Sequence, residues 1–423
     1  MRRYYQLKRW TLPSTFIIGI HSMRCYLTFL ILGCLLFPTH LLANADDLNN
    51  SEGLSPHTAI DQQQSEDIQM LRERVAFLEE QQSSILDDIA QRVVLGGYGS
   101  LEFEAFGGSR TTFEGKLELL ISGQIHDRIR IYNEIDVGVP SETAKAEQAY
   151  IDFLIAQWVN LRGGVLLVPF GKFNLDHFDP RRDLTDRPLV ATQIVPTTWG
   201  DLGVSLFGLL SLSPDLKATY EIAAINGFTN SFSTTSGGLR SARSGLGRDN
   251  NGDKAIVGRG TLKLVDQYEI GVSGYSGASN PSSGNRISGY DVDVELKPRG
   301  IATLEDFEFK AEFAHFTIQG SSTPSNLYGY YTQVNYHFWV EPLNQTFLGR
   351  HFNNPTFTAI MRYDHAKIDT SAGAGILTQD RYTIGVNYRP IEDYVIKTEY
   401  QVNDGGIGRK NWEGFLASIA WLF

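Results

Sequence analysis

Cysteine is almost missing from this chain of 423 residues: it has Cys25 and Cys34, and none follows them. Disulfide frameworks, thiolate metal centres and cysteine nucleophiles are thereby excluded from everything beyond residue 45. A surplus of basic charge is missing too. The chain holds 37 Lys and Arg against 48 Asp and Glu, and its first 45 residues carry five of the bases and no acid. Without that segment the balance falls to −16. Nucleic-acid binding needs a basic face and is not expected. Past Val93 no apolar run reaches the roughly 20 residues of a membrane-spanning helix.

What is present begins with an export signal. Tyr26 to Leu42 is almost wholly apolar, with Met23 and Arg24 before it and Ala43-Asn44-Ala45 after it. A positive flank, a short apolar core and an A-x-A end make residues 1–45 a secretory signal, cleaved after Ala45. Met23 reads as the start of translation, because it leaves a compact signal. Residues 46–65, rich in Asp, Asn, Ser and Gln, read as a polar linker. In residues 66–93 the positions Ile68, Leu71, Val75, Leu78, Gln82, Ile85 and Ile89 alternate spacings of three and four. That is a heptad seam broken by one polar residue, so a short α-helical coiled coil in the periplasm is expected, helping to hold an oligomer together.

From residue 94 to 423 the texture is constant, with apolar and polar residues alternating between Gly, Asn, Asp, Pro and Ser turns. Arg128, Arg130, Glu134 and Asp136 share one face of a strand, and Ile129, Ile131, Ile135 and Val137 the other. Asp291, Asp293 and Glu295 alternate with Tyr290, Val292 and Val294, and Lys397 and Glu399 alternate with Ile396, Thr398 and Tyr400. Strands that are charged on one face and apolar on the other, in a chain bearing an export signal, point to a closed transmembrane barrel with its charges in the lumen. The fold class is therefore all-β, an antiparallel barrel of about sixteen strands, which is wide enough for an aqueous channel. The expected location is the bacterial outer membrane, in contact with its lipid. In the last strand Phe415, Ile419, Trp421 and Phe423 fall on one face. This resembles the C-terminal targeting strand that the barrel-assembly machinery reads.

Most strand connections read as short, and two do not. Residues 228–252 are rich in Gly, Ser and Asn and read as a long outer loop. Residues 169–198 are charged and aromatic, and Pro169, Pro180, Pro188 and Pro196 bar regular strands there. The stretch from Ala149 to Phe207, with AYIDF, GVLLVPFGKFN, DPRRDLTDRPLV and PTTWGDLGVSLFG, resembles outer-membrane porins of the phosphate-selective porin O/P type. The resemblance implies a trimeric channel for small ions or polar solutes, with residues 170–190 folded into the lumen as a constriction.

Four bases in that constriction, Lys172, Arg181, Arg182 and Arg187, meet four acids, Asp176, Asp179, Asp183 and Asp186. They line a path for solute, or they pair and pin the segment to the wall. Anion selectivity needs a net basic constriction, which these eight residues do not supply. The acids Asp291, Asp293, Glu295, Glu308 and Glu312 lean the reading toward cations. A plugged structural or adhesin-type barrel is the alternative. An outer-membrane enzyme is the lesser rival, because His126, His177, His315, His337, His351 and His365 sit in no catalytic motif. No cofactor is expected. A metal site at Asp176, His177 and Asp179 is conceivable but not expected, since such clusters are common in polar loops.

Overall fold

The computed structural model describes residues 69–75 and 92–423, apart from 108–109, 140–142, 233–237, 245–248, 250–251, 280–284, 320–323, 371–376 and 407–410. The chain divides into two units, Met1–Glu79 and Glu80–Phe423. The export signal, the linker and most of the heptad segment lie outside the described residues. Within the first unit, residues 69–75 are helical and exposed, with Gln69 Nε2 donating to Glu73 Oε1 at 3.4 Å.

The second unit is a barrel. Its strands are β1 (Val93–Phe106), β2 (Thr112–His126), β3 (Ile129–Val139), β4 (Thr143–Ala156), β5 (Val159–Leu167), β6 (Gly200–Ser211), β7 (Leu216–Ile225) and β8 (Ala255–Leu264). They continue with β9 (Tyr268–Ala278), β10 (Arg286–Leu296), β11 (Phe307–Ile318), β12 (Pro324–Phe338), β13 (Thr356–Thr370), β14 (Leu377–Ile391), β15 (Tyr394–Gly405) and β16 (Asn411–Leu422). Each pairs antiparallel with its neighbours in sequence, and β1 pairs with β16 to close the ring of sixteen. At the seam, Gly97 and Phe423 exchange backbone hydrogen bonds of 3.0 and 2.9 Å.

The wall inverts the arrangement of a water-soluble protein. Glu118, Glu134, Asp291, Asp293, Arg362, Asp364, Lys397 and Glu399 are buried, whereas Phe113, Val204, Ile222, Met361, Tyr382 and Ile384 are exposed. Charged side chains are seldom buried and large apolar ones seldom form the whole outer face unless that face meets lipid. The period of two in the sequence fixes which set goes where. Aromatic rings gather near one end, where Phe338, Trp339, Phe357 and Tyr388 stack on one another. No helix among the described residues is long and apolar enough to cross a membrane.

That end carries mostly tight turns, such as residues 157–158 and 392–393. In the three-residue connection 265–267 between β8 and β9, Val265 and Asp266 have φ of 46° and 57°, the left-handed pair at the centre of a turn closed by Gln267 N–H donating to the Leu264 carbonyl at 3.0 Å. One connector there is long, residues 339–355, containing a short 3-10 turn at Glu341–Gln345. This corrects the reading of two long connections to three. Trp339, Phe347 and Leu348 give that stretch the apolar texture of a strand. From the opposite end leave both other long connectors, residues 168–199 between β5 and β6 and residues 226–254 between β7 and β8.

Candidate functional site

Residues 168–199, here called the insert, hydrogen-bond or ion-pair with β1, β3, β4 and β9 to β16. A segment that reaches strands on opposite sides of a closed ring lies inside it. Its two ends are stapled together by Asn174. That side chain donates from Nδ2 to the Val168 carbonyl at 2.9 Å and accepts from the Trp199 N–H at 2.8 Å. Between them the chain turns through Gly171, with φ of 73°, into one helical turn, Lys172–Leu175. A Cβ on Gly171 would sit 2.7 Å from Glu312 Oε1 and would displace that carboxylate, and the φ itself strains any other residue.

The insert is held by charge. Lys172 Nζ lies 2.8 Å from Glu269 Oε1 and 3.1 Å from Glu295 Oε2. Asp183 Oδ2 accepts from Lys310 at 2.7 Å, Gln333 at 2.8 Å and Asn335 at 2.9 Å. Asp186 Oδ2 accepts from Arg381 at 2.6 Å and Gln401 at 3.1 Å. Asp179 accepts from Ser100 at 2.8 Å through its carboxylate and from Lys397 at 2.6 Å through its carbonyl, and it pairs with Arg182, which also reaches Glu102 at 3.3 Å. Glu399 takes the backbone N–H groups of Thr185 at 2.6 Å and Asp186 at 3.2 Å. Five of the eight charged residues singled out from the sequence, Lys172, Asp179, Arg182, Asp183 and Asp186, are thus engaged with the wall or with one another. Asp176 and Arg181 form a loose, exposed pair at 3.9 Å.

The other charged positions take varied places. Asp291 and Asp293 surround Arg259, with Arg259 Nη1 2.5 Å from Asp293 Oδ2. Glu295 holds Lys172 and Lys297. Glu308 pairs with Lys297 and Lys310, and Glu312 accepts the Phe173 N–H at 2.9 Å. Asp293, Glu295, Glu308 and Glu312, four of the acids that tilted the sequence reading toward cations, are engaged by bases or by backbone, whereas Asp291, 3.9 Å from Arg259, is buried with no hydrogen-bond partner on either oxygen. Arg130 pairs with Asp152 at 2.9 Å, while Arg128 sits exposed in the β2–β3 turn because the strand starts at Ile129. Asp136 lines a cavity described below. Phe415, Ile419, Trp421 and Phe423 form an exposed outward stripe on and just beyond β16. Asp364 and His365 point to opposite faces, the first to Arg362 and the Leu189 N–H, the second to Asp380.

The connector 226–254, of which residues 228–252 were read from sequence as an outer loop, folds partly onto the insert. Thr229 N donates to the Ala242 carbonyl at 2.7 Å, and Arg240 and Arg243 donate to the carbonyls of Thr197 and Thr198. Phe228 stacks on Trp199 at 4.5 Å between centroids, and Phe170, Tyr275 and Phe316 complete an apolar cluster against the wall. Arg240 and Arg243 have no acid within ion-pair distance among the described residues. Burial, and then the charges of Arg243 and Arg187, push the Arg240 pKa down to about 10.

Two spaces remain. One, of about 640 Å³, lies between the insert and β5 to β9. Its lining holds five bases, Lys172, Arg181, Lys217, Arg259 and Lys263, and three acids, Asp176, Glu221 and Glu269. The other, of about 330 Å³, lies beside β2 to β4 and is lined by Lys116, Lys145, Arg187, Arg240 and Arg243 with Asp136 and Glu147. Sequence reasoning missed Arg240, Arg243 and Arg259. Arg259 was legible in the β8 alternation, whereas nothing local places the RSAR stretch at 240–243 beside the insert.

His177 lies apart from Asp176 and Asp179, with which the sequence had grouped it. It is buried beside Glu118 of β2, Glu134 of β3 and Glu147 of β4. Its Nδ1 donates to the Asn174 carbonyl at 3.1 Å, and its Nε2 stands 3.4 Å from Glu134 Oε1 and 3.3 Å from Glu147 Oε2. Burial alone would push this pKa down, but hydrogen bonding and charge from Glu134 and Glu147 outweigh it and raise the pKa to about 9.

A closed barrel of this size, polar within and apolar without, with a segment docked across its lumen, has the architecture of a transmembrane β-barrel. No family model matches the sequence. The chain is 25% identical over 374 residues to an uncharacterized protein of Aquifex aeolicus strain VF5, covering 79% of this chain and 81% of that one. Among solved structures it is similar to Salmonella typhi OmpF in complex with daunomycin (TM-score 0.52, 9% identity, 78% of this chain and 97% of that one). It is also similar to the anion-selective porin from Comamonas acidovorans (TM-score 0.50, 8% identity, 78% and 99%). These likenesses show the fold. They do not confirm the porin O/P resemblance.

Proposed function

We propose that this protein is an outer-membrane porin, a passive channel for small polar solutes narrowed by the insert. The observation that carries the reading is the 640 Å³ space left beside an insert tied to the rest of the ring. The smaller space suggests selectivity. In the larger one five bases face three acids, but Lys172 and Arg259 are held by Glu295 and Asp293 behind the lining, whereas in the smaller one Lys145, Arg187, Arg240 and Arg243 outnumber Asp136 and Glu147, so the uncompensated positive charge lies there. Fixed charge of one sign at a constriction favours the opposite ion, so this reading turns from cations to a weak preference for anions. The phosphate-selective family remains a resemblance only.

On this proposal the protein lies in the bacterial outer membrane as a homotrimer, placed there by the barrel-assembly machinery through the aromatic outer face of β16. Residues 66–92, up to the start of β1, form a periplasmic coiled coil. Heptad spacing and the helicity of residues 69–75 support that part. No catalytic role is proposed. The test is conductance of the purified protein in a planar bilayer, followed by the reversal potential under a KCl gradient. Steady channels with anions favoured are expected. Absence of conductance from folded protein would sink the channel and leave the plugged, structural barrel, which the many anchors of the insert favour.

A further inference from the structure

We propose that Glu118, Glu134, Glu147 and His177 form a binding site for one divalent first-row transition-metal ion, which fastens the insert to β2, β3 and β4. One ligand atom from each residue lies within 4.8 Å of all the others. Opposed ligands on such an ion sit about 4 Å apart, so a side-chain contraction of under about 1 Å closes the shell.

The histidine points to a ligand. A carbonyl oxygen can only accept, so Nδ1, 3.1 Å from the Asn174 carbonyl, must carry the hydrogen. In the neutral ring Nε2 is then a bare lone pair. In that form it is fully buried without a hydrogen-bond partner and is aimed between two carboxylates. Lone pair against lone pair is repulsive unless a cation stands between them. A histidine that donates one nitrogen to a backbone carbonyl and offers the other is also the usual posture of a metal ligand.

The carboxylates lead to the same conclusion. Both oxygens of Glu118, Oε1 of Glu134 and Oε2 of Glu147 are buried without a hydrogen-bond partner. Lys116 contacts Glu118, so one positive charge meets three negative ones. Gln148 holds the other side of Glu134 at 2.5 Å, fixing its orientation. Three oxygen donors and one imidazole suit Mn²⁺, Fe²⁺ or Zn²⁺ better than Mg²⁺ or Ca²⁺, which favour oxygen alone. Glu147 borders the 330 Å³ space, which gives the ion a route in. The bases across that space oppose a cation, and the carboxylates act at shorter range.

The experiment strips folded full-length protein with EDTA and titrates Mn²⁺ alone, then Zn²⁺ alone, by calorimetry. One ion per chain is expected, with nitrogen coupling to bound Mn²⁺ in pulsed electron paramagnetic resonance. His177→Ala and Glu134→Gln should each weaken binding at least about tenfold. Asp176→Asn, beside the site but outside it, should not. Should His177→Ala lose its folded barrel band on unheated gels, Glu118→Gln replaces it, since Glu118 bonds to no residue of the insert. Absence of saturable binding, or equal affinity in the variants, would overturn the proposal and leave a proton between His177 and the carboxylates.

Discussion

Replacing Trp199 with alanine should loosen the insert without harming the wall. Trp199 is 1% exposed and closes the insert at the start of β6. Its ring stacks on Phe228 at 4.5 Å and meets Tyr275 at 5.5 Å and Phe170 at 6.0 Å. Truncating a buried tryptophan costs about 3–5 kcal/mol, the aromatic contacts included. None of that cost falls on the ladder of the sheet, because Trp199 lies before the first residue of β6. The loss instead raises the undocked population of residues 188–199 by roughly 10²- to 10⁴-fold, at about 1.4 kcal/mol per tenfold. Trypsin does not cut Arg187–Pro188, but Ile194 is buried in this cluster, so thermolysin cleavage on its N-terminal side reports the opening. When opening is fast against cleavage, the rate follows the open population. Faster cleavage, an unchanged folded band, and larger, noisier single-channel conductance are expected, with Trp199→Phe close to the parent. Equal cleavage rates in the alanine variant and the parent would refute the idea that this cluster holds the insert shut.

Other perturbations follow from the same geometry. Lys217→Glu with Lys263→Glu turns five bases and three acids into three and five along the larger space, so the reversal potential should swing toward cations. The swing should fade from 0.1 to 1 M salt, as the screening length shrinks from about 10 to 3 Å. Glu399→Ala orphans the N–H groups of Thr185 and Asp186, and hydrogen bonds to a charged group are worth about 1.5–3 kcal/mol each, so faster tryptic cleavage at Arg181 and Arg182 is expected. Gly97→Val places a Cβ 2.6 Å from the Phe423 ring, which should lower the yield of folded barrel on gels. In metal-stripped protein, the raised His177 pKa means a stabilisation fully present below pH 6.5 and lost as pH climbs through about 9. Protease resistance of the insert should fall over that interval and become flat in His177→Gln.

The wall was legible because a period of two is local: Asp291, Asp293 and Glu295 reveal their face without reference to any partner. The existence of the insert was legible from its prolines and charges. Its fastenings were not. Asp183 meets Asn335 across 152 positions, and Thr185 meets Glu399 across 214. Which acid takes which base depends on the closed ring, and a run of four acids and four bases does not encode that. His177 shows the limit most plainly. Its sequence neighbours suggested Asp176 and Asp179, but the turn at Lys172–Leu175 swings it toward three glutamates on three different strands.

The seam between β1 and β16 has a consequence for timing. Most fastenings of the insert belong to strands made after it, and the latest is Ser418 of β16, bonded to Thr185 at 2.8 Å. The insert therefore leaves the ribosome long before its berth exists. Complete docking cannot precede the arrival of the strand that shuts the ring. The last fastening of the crossbar forms as the hoop closes, and an assembly stopped before β16 would hold the insert without that bond.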